Sequence, residues 1–202
     1  MDIIRLKGLS YGSNTYVIIS GGDAAVVDPS AYADEILNAL GGAKLRYILL
    51  THGHFDHILK LDSLKCKTNA EVCIHSMDEE MLSDPELNAS EFFGLDLASL
   101  GADRTLCDGE EIPLGRERIK VLHTPGHTRG SVCFDCGDDL ICGDTLFKSG
   151  YGRYDLPGGD PRVLFGSLKM LADRRDDPTI HPGHGESCRL SSAAIIQSIR
   201  NQ

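Results

Sequence analysis

The run Thr51-His52-Gly53-His54-Phe55-Asp56-His57 decides the reading of this chain. It follows directly on Leu45–Leu50 (LRYILL), a nearly continuous apolar stretch of the kind expected for a strand buried on both faces. The polar residues 51–57 therefore sit in a loop at the end of a core strand. Three imidazoles and a carboxylate in so short a loop form a donor set suited to zinc, iron or manganese. In an extended segment residues i and i+2 point the same way, so His52 and His54 can reach one ion together. Asp56 and His57 lie where the chain turns into a helix and can face a neighbouring ion.

Outward from this loop, the chain reads as alternating strands and helices. Residues 14–20 and 24–28 are β-rich and separated by Gly21-Gly22-Asp23, which predicts a hairpin. Asp28-Pro29-Ser30 turns the chain into a helix over 32–40, with Ala33, Ile36, Leu37 and Leu40 at helical spacing, ended by Gly41-Gly42. A helix is expected over 58–64, a strand over 71–75, and short helices and loops over 77–100. The second half repeats the rhythm: strands near 118–123, 131–135 and 139–142, a helix over 161–173, a strand at 178–181 and a last helix near 191–200. No Pro/Gly/Ser-rich linker separates the halves, and residues 1–202 read as one domain with helices outside packed sheets.

Three further pieces fall on loops after predicted strands: Thr124-Pro125-Gly126-His127-Thr128, Gly143-Asp144-Thr145-Leu146-Phe147 and His181-Pro182-Gly183-His184-Gly185. Each alone reads as an ordinary turn. Together with the first run they bring the candidate ligands to seven: His52, His54, Asp56, His57, His127, Asp144 and His184. His75, His123 and His181 have no place in that set and read as strand-end residues. Asp28 is either a helix N-cap or a carboxylate that orients a ligating imidazole. Cys133 and Cys136 lie three apart in an extended segment, which aims them at opposite faces, so they read as structural. Tyr151, Arg153 and Tyr154, shortly after Asp144, are candidates to line a substrate cleft.

Composition narrows the partners. The 202 residues carry 20 Lys+Arg against 30 Asp+Glu, a formal charge of −10, which disfavours general binding to nucleic acid or to an anionic membrane. No apolar run approaches the ~20 residues needed to span a bilayer, and the N-terminus lacks a signal-peptide pattern. Seven cysteines, an odd number, without an export signal predict reduced thiols in a cytoplasmic protein. The expected partner is a small-molecule substrate.

These motifs, with Asn14-Thr15-Tyr16, Val27-Asp28-Pro29, the run Thr124–Ser131 and Gly152-Arg153-Tyr154-Asp155-Leu156-Pro157-Gly158-Gly159, closely resemble the metallo-β-lactamase superfamily. Within it the resemblance is to the hydroxyacylglutathione hydrolase (glyoxalase II)-like branch. The resemblance implies an α/β protein, a four-layer αββα sandwich with metals at one edge of the sheets. It implies that His52, His54 and His127 hold a first metal, that Asp56, His57 and His184 hold a second, and that Asp144 bridges them. Asp56 and Asp144 would be the catalytic carboxylates. The cofactors implied are two divalent ions, zinc first, iron or manganese otherwise. Two such ions against two carboxylates and a hydroxide leave roughly one net positive charge, enough to form a nucleophile near neutral pH.

The activity implied is hydrolysis of S-acylglutathione or another small acyl thioester by a bridging metal hydroxide. The alternative is a persulfide dioxygenase with one iron on much the same residues. A zinc β-lactamase fits less well, because the resemblance puts Cys or Ser where Asp144 stands in those enzymes and they are exported. The chain runs on from Gly185 only to Gln202, whereas full-length glyoxalase II enzymes carry a C-terminal helical extension that helps bind glutathione. A loose preference for the thiol portion is therefore expected.

Overall fold

The computed structural model describes residues 1–9 and 12–201. The first half builds a six-stranded sheet in the order β1 (Asp2–Leu6), β2 (Thr15–Ser20), β3 (Asp23–Val27), β4 (Lys44–Leu49), β5 (Glu71–His75) and β6 (Arg104–Leu106). The first three strands are antiparallel; β3 through β6 run parallel. The second half supplies β7 (Glu111–Leu114), β8 (Glu117–His123), β9 (Val132–Asp135), β10 (Asp139–Gly143), a small hairpin of β11 (Leu146–Phe147) and β12 (Gly150–Tyr151), then β13 (Thr179–Pro182) and β14 (Cys188–Arg189). Its main sheet has the order β14-β13-β10-β9-β8-β7.

Side-chain alternation assigns each strand residue to a layer. On β2, Tyr16 and Ile18 face the space between the sheets, while Val17 faces out. On β9, Val132 and Phe134 face inward and Cys133 outward. The outer face of the first sheet is covered by α1 (Ala33–Ala39) and α2 (Leu61–Thr68), through Ile36, Leu61 and Leu64. The outer face of the second is covered by α3 (Pro161–Ala172) and α4 (Ala194–Arg200), through Leu164, Leu168, Leu171 and Ile196. The result is the four-layer αββα sandwich. Helix α3 starts sharply because Asp160 accepts hydrogen bonds from the amides of Arg162 and Val163, with Pro161 as first helical residue.

Several elements depart from the sequence expectation. The helix after the His-rich loop begins at Leu61 rather than Ile58 and continues to Thr68; a 3-10 turn, Phe55–His57, and the Ile58–Lys60 link come first. Strand β4 is not buried throughout, since Lys44 and Arg46 are exposed. Strands β1, β6, β7, β11, β12 and β14 lie outside the sequence expectation, each being five residues or fewer. The pair Cys133 and Cys136 does divide between opposite faces, Cys133 in the outer core and Cys136 against the inner one. No helix among the described residues is long and apolar enough to cross a membrane.

Candidate metal centre

The seven candidate residues converge at one edge of the sandwich. His52, His54, Asp56 and His57 follow β4; His127 follows β8; Asp144 follows β10; His184 follows β13. Three overlapping groups have ligand atoms within 4.8 Å of one another: His52–His54–His127, His52–His57–Asp144, and Asp56–His57–His184. In the first, His127 Nε2 lies 2.9 Å from His54 Nδ1 and 3.1 Å from His52 Nε2. In the last, His184 Nε2 lies 3.0 Å from Asp56 Oδ2. Asp144 stands between: Oδ1 is 3.4 Å from His57 Nε2, and Oδ2 is 3.7 Å from His127 Nε2 and 3.6 Å from His184 Nε2.

The outward ring nitrogens determine the tautomers. His57 Nδ1 donates to Asp28 Oδ2 at 2.8 Å. Thr51 gives its own hydroxyl proton to Asp28 Oδ2 at 2.7 Å, so its oxygen accepts from His52 Nδ1 at 3.1 Å. His127 Nδ1 donates to the Arg153 carbonyl at 2.6 Å. In neutral rings all three Nε2 atoms then carry lone pairs directed inward. Two lone pairs 3.1 Å apart, on His52 and His127, repel unless an electron-poor atom lies between them. Among the described residues, the three buried side-chain polar atoms without a hydrogen-bond partner are His54 Nε2, His57 Nε2 and Asp144 Oδ1, all in this cluster. Of these, His57 Nε2 in a neutral ring and Asp144 Oδ1 are orphaned acceptors that fit a cation.

The local electrostatics agree. Burial and the neighbouring imidazoles hold His52 well below the ordinary histidine range. Burial, with His127, pushes His54 down to about 3. Burial works to raise Asp144, but the His57, His127 and His184 imidazoles outweigh it and hold its carboxyl far below the usual range. Asp56 is lowered against its burial by His57 and His184. His57 is raised despite burial, because Asp28, Asp56 and Asp144 surround it. The carboxylates are therefore ionised at neutral pH, and four of the rings crowd together. That is a stable arrangement when divalent cations share the charge.

Asp28 orients the rings and does not cap a helix: α1 is preceded by Tyr32, and both Asp28 oxygens are taken by Thr51 and His57. Sequence reasoning missed a second buried carboxylate, Asp78, on the 3-10 turn Ser76–Leu82. It accepts from the Gly53 amide at 3.3 Å, the Gly130 amide at 2.6 Å and the Thr128 hydroxyl at 2.6 Å. It thus ties the His52–His54 loop to the His127 loop. Nothing in the aperiodic 77–100 stretch singles it out. Asp78→Ala, leaving these donors unpaired, is expected to cost about 2–4 kcal/mol of stability. Calorimetry should show the melting midpoint fall by on the order of 10 °C; an unchanged midpoint would show that the tie is dispensable.

A cleft of about 410 Å³ opens over the cluster. Arg153 lines it, as expected, but Tyr151 does not: its ring packs against Phe165 at the outer core, 5.3 Å between centroids. Tyr154 is exposed and outside the lining. His75 and His123 stack on each other at 4.2 Å, and His181 pairs with Asp139 and Ser187, all away from the cluster.

Comparison with known proteins accords with this geometry. The family model described as "Metallo-beta-lactamase superfamily" matches residues 10–184. Among curated relatives, "Probable metallo-hydrolase YqgX" of Bacillus subtilis is 35% identical, covering 86% of this chain and 85% of that protein. "Hydroxyacylglutathione hydrolase" of Acidiphilium cryptum is also 35% identical, covering 91% of this chain and 68% of its own length. Among solved structures, the BLEG-1 B3 metallo-beta-lactamase superposes with a TM-score of 0.89 at 29% identity, covering 96% of this chain and 99% of that one. TTHA1623 in a di-iron-bound form has a TM-score of 0.82 at 33% identity, covering 96% and 97%.

Proposed function

The chain belongs to the metallo-beta-lactamase superfamily and is a metal-dependent hydrolase of it; from that premise we propose that its centre is binuclear and that it cleaves thioesters. The observation that carries the reading is the pairing of two donor triads, one on either side of a carboxylate whose two oxygens face both. Seven donors exceed what one tetrahedral ion uses. His52, His54 and His127 would hold one ion, Asp56, His57 and His184 the other, and Asp144 would serve both. Two divalent cations, zinc first and iron or manganese otherwise, would supply a water-derived nucleophile at neutral pH and polarise an acyl carbonyl.

The chain's own residues prepare that chemistry. Asp28, the Thr51 hydroxyl and the Arg153 carbonyl each hold an outer ring proton, so that His57, His52 and His127 offer their inner nitrogens without reorganisation. Asp56 and Asp144, both ionised, would neutralise part of the cation charge and could orient the attacking water. The apolar residues Phe55, Phe93, Phe147 and Leu156 line the cleft beside the cluster and would lower the water content around the attacked carbon. The likeness to the Acidiphilium hydroxyacylglutathione hydrolase supports the thioester, and the di-iron form of TTHA1623 supports paired metals while leaving zinc against iron to measurement.

Metal analysis and a substrate panel test the reading together. Two metals per fully loaded chain with thioesterase activity are expected. S-lactoylglutathione should be cleaved with weak saturation, lost uniform binding appearing as a raised KM more than a lowered kcat. A single iron with oxygen uptake on glutathione persulfide and no thioester cleavage would replace this reading with the dioxygenase. Rapid opening of a β-lactam ring without thioester cleavage would replace it with a lactamase.

A further inference from the structure

The walls of the cleft have a chemistry of their own. Its floor is the candidate ligand cluster; above it stand Phe55, Ala89, Phe93, Phe147 and Leu156, with Arg153 at the side. Five apolar residues face one cation, and that cation is already engaged. The Arg153 Nε and Nη2 donate to both oxygens of Asp155 at 2.7 and 2.8 Å. Glutathione carries two carboxylates and an ammonium. Among the described residues lining the cleft, Arg153 is the one Lys or Arg, and its pairing with Asp155 offsets its charge.

The apolar wall is built, not incidental. Phe93 lies on the 3-10 turn Glu91–Phe93, its ring 5.0 Å from that of Phe55 on the ligand loop. The two loops are joined by the Phe55 amide, which donates to the Asn88 carbonyl at 3.0 Å, and the Asn88 side chain holds the returning chain at Leu97 at 2.7 Å. Phe93, which lines the cleft, remains 52% exposed, and its chain neighbour Phe92 is 65% exposed. Adjacent exposed aromatics at the rim of a concave site are costly in water and mark a surface that an apolar ligand covers.

Resting on the thioester reading above, we infer that this cleft selects the acyl half of its substrate, and that the acyl group is an uncharged apolar chain or aryl ring laid along Phe55, Phe93, Phe147 and Leu156. The two halves of a thioester differ in where charge appears. The sulfur departs as a thiolate before it is protonated, and burying that charge against phenylalanine is unfavourable. The acyl tail stays uncharged throughout, while its carboxylate forms at the metal floor. Attack of water on the acyl carbon breaks the C–S bond, giving carboxylate, thiol and a released proton. The thiol half then points to the open side, where its identity matters little.

A chain-length series on the metal-loaded protein tests this. Acetyl, butanoyl, hexanoyl and octanoyl thioesters of one small neutral thiol should show kcat/KM rising about fourfold per methylene until the cleft is filled, the factor that burial of one methylene supplies. Binding of the inert ketones 2-butanone, 2-hexanone and 2-octanone, followed by NMR titration, should rise in the same order. Phe93→Ser, at a position that is 52% exposed, should reduce the octanoyl-to-acetyl ratio at least tenfold and flatten the ketone series, with circular dichroism unchanged. A flat series with active acetyl thioester hydrolysis, or saturation by S-lactoylglutathione tighter than by the octanoyl thioester, would overturn the inference and leave the hydrolase standing. No thioester cleavage, with ketone affinity still graded by length, would overturn the thioester reading and keep the apolar cleft.

Discussion

Asp144→Ala is expected to lower kcat on the order of 10³-fold or more and to leave the protein with fewer bound metals, while the metal-free fold is unchanged. Asp144 is the carboxylate that faces both donor groups, Oδ1 toward His57 and Oδ2 toward His127 and His184. Without it the two sites lose their shared donor and one negative charge, so each holds its ion less tightly and neither ion is fixed relative to the other. The fold should survive because Asp144 contributes no hydrogen bond to the core. Its Oδ1 is a buried acceptor without a partner, surrounded by imidazoles. Turnover, metal content by mass spectrometry and circular dichroism decide the matter. Retained turnover would remove Asp144 from the bridging role; global unfolding of the metal-free wild type would make the metals structural.

Gly183→Ala should be nearly as damaging, although glycine has no chemistry to lose. A Cβ at this position would lie 2.2 Å from Asp144 Oδ1 and 2.7 Å from His57 Cε1. The backbone cannot step aside. The Gly183 amide donates to the Gly143 carbonyl at 2.8 Å and the Gly183 carbonyl accepts from the Asn14 amide at 2.6 Å. The methyl group must therefore displace the two side chains. A displacement near 1 Å at a reacting centre can cost about 10²-fold in rate, and a loss of that order in kcat/KM with weakened metal retention is expected. Gly166→Ala is the matched control, because a Cβ there meets nothing within 4 Å. Equal activity in Gly183→Ala and Gly166→Ala would show that the centre tolerates the methyl group and that its geometry is looser than described.

The seven candidate ligands were legible because metal chemistry restricts residue type sharply and the loops follow recognisable strands. Buried strands such as Thr15–Ser20 and Asp139–Gly143 write their burial into composition, which made helices outside packed sheets legible; the four-layer αββα order itself came from the family resemblance. Asp78 was invisible because an Asp that accepts from backbone amides looks like any surface Asp until the loops it joins are known. The cleft wall was hidden for the same reason. Phe55 and Phe93 lie far apart in the chain and become one surface only through the Phe55–Asn88 backbone contact. Tyr151 was misassigned because proximity to Asp144 in sequence says nothing of side-chain direction; in the β11–β12 hairpin its ring turns toward Phe165. The start of α2 slipped by three residues because the 3-10 turn at Phe55–His57 uses up one turn of chain before the α-helix begins.

The candidate ligands come from loops of both sheets: His52, His54, Asp56 and His57 from the first, His127, Asp144 and His184 from the second. Ions held by these residues would be rivets between two leaves already joined by the apolar layer and by a few hydrogen bonds, such as Tyr16 to the Pro182 carbonyl and the Asn14 amide to the Gly183 carbonyl. Whatever binds the native state and not the unfolded chain adds RT ln(1 + [L]/Kd) to stability, about 2.7 kcal/mol when free metal is a hundredfold above its dissociation constant. The stability of the sandwich then becomes a function of the free-metal level around the protein, and a chelator would lower it while leaving the folded arrangement in place.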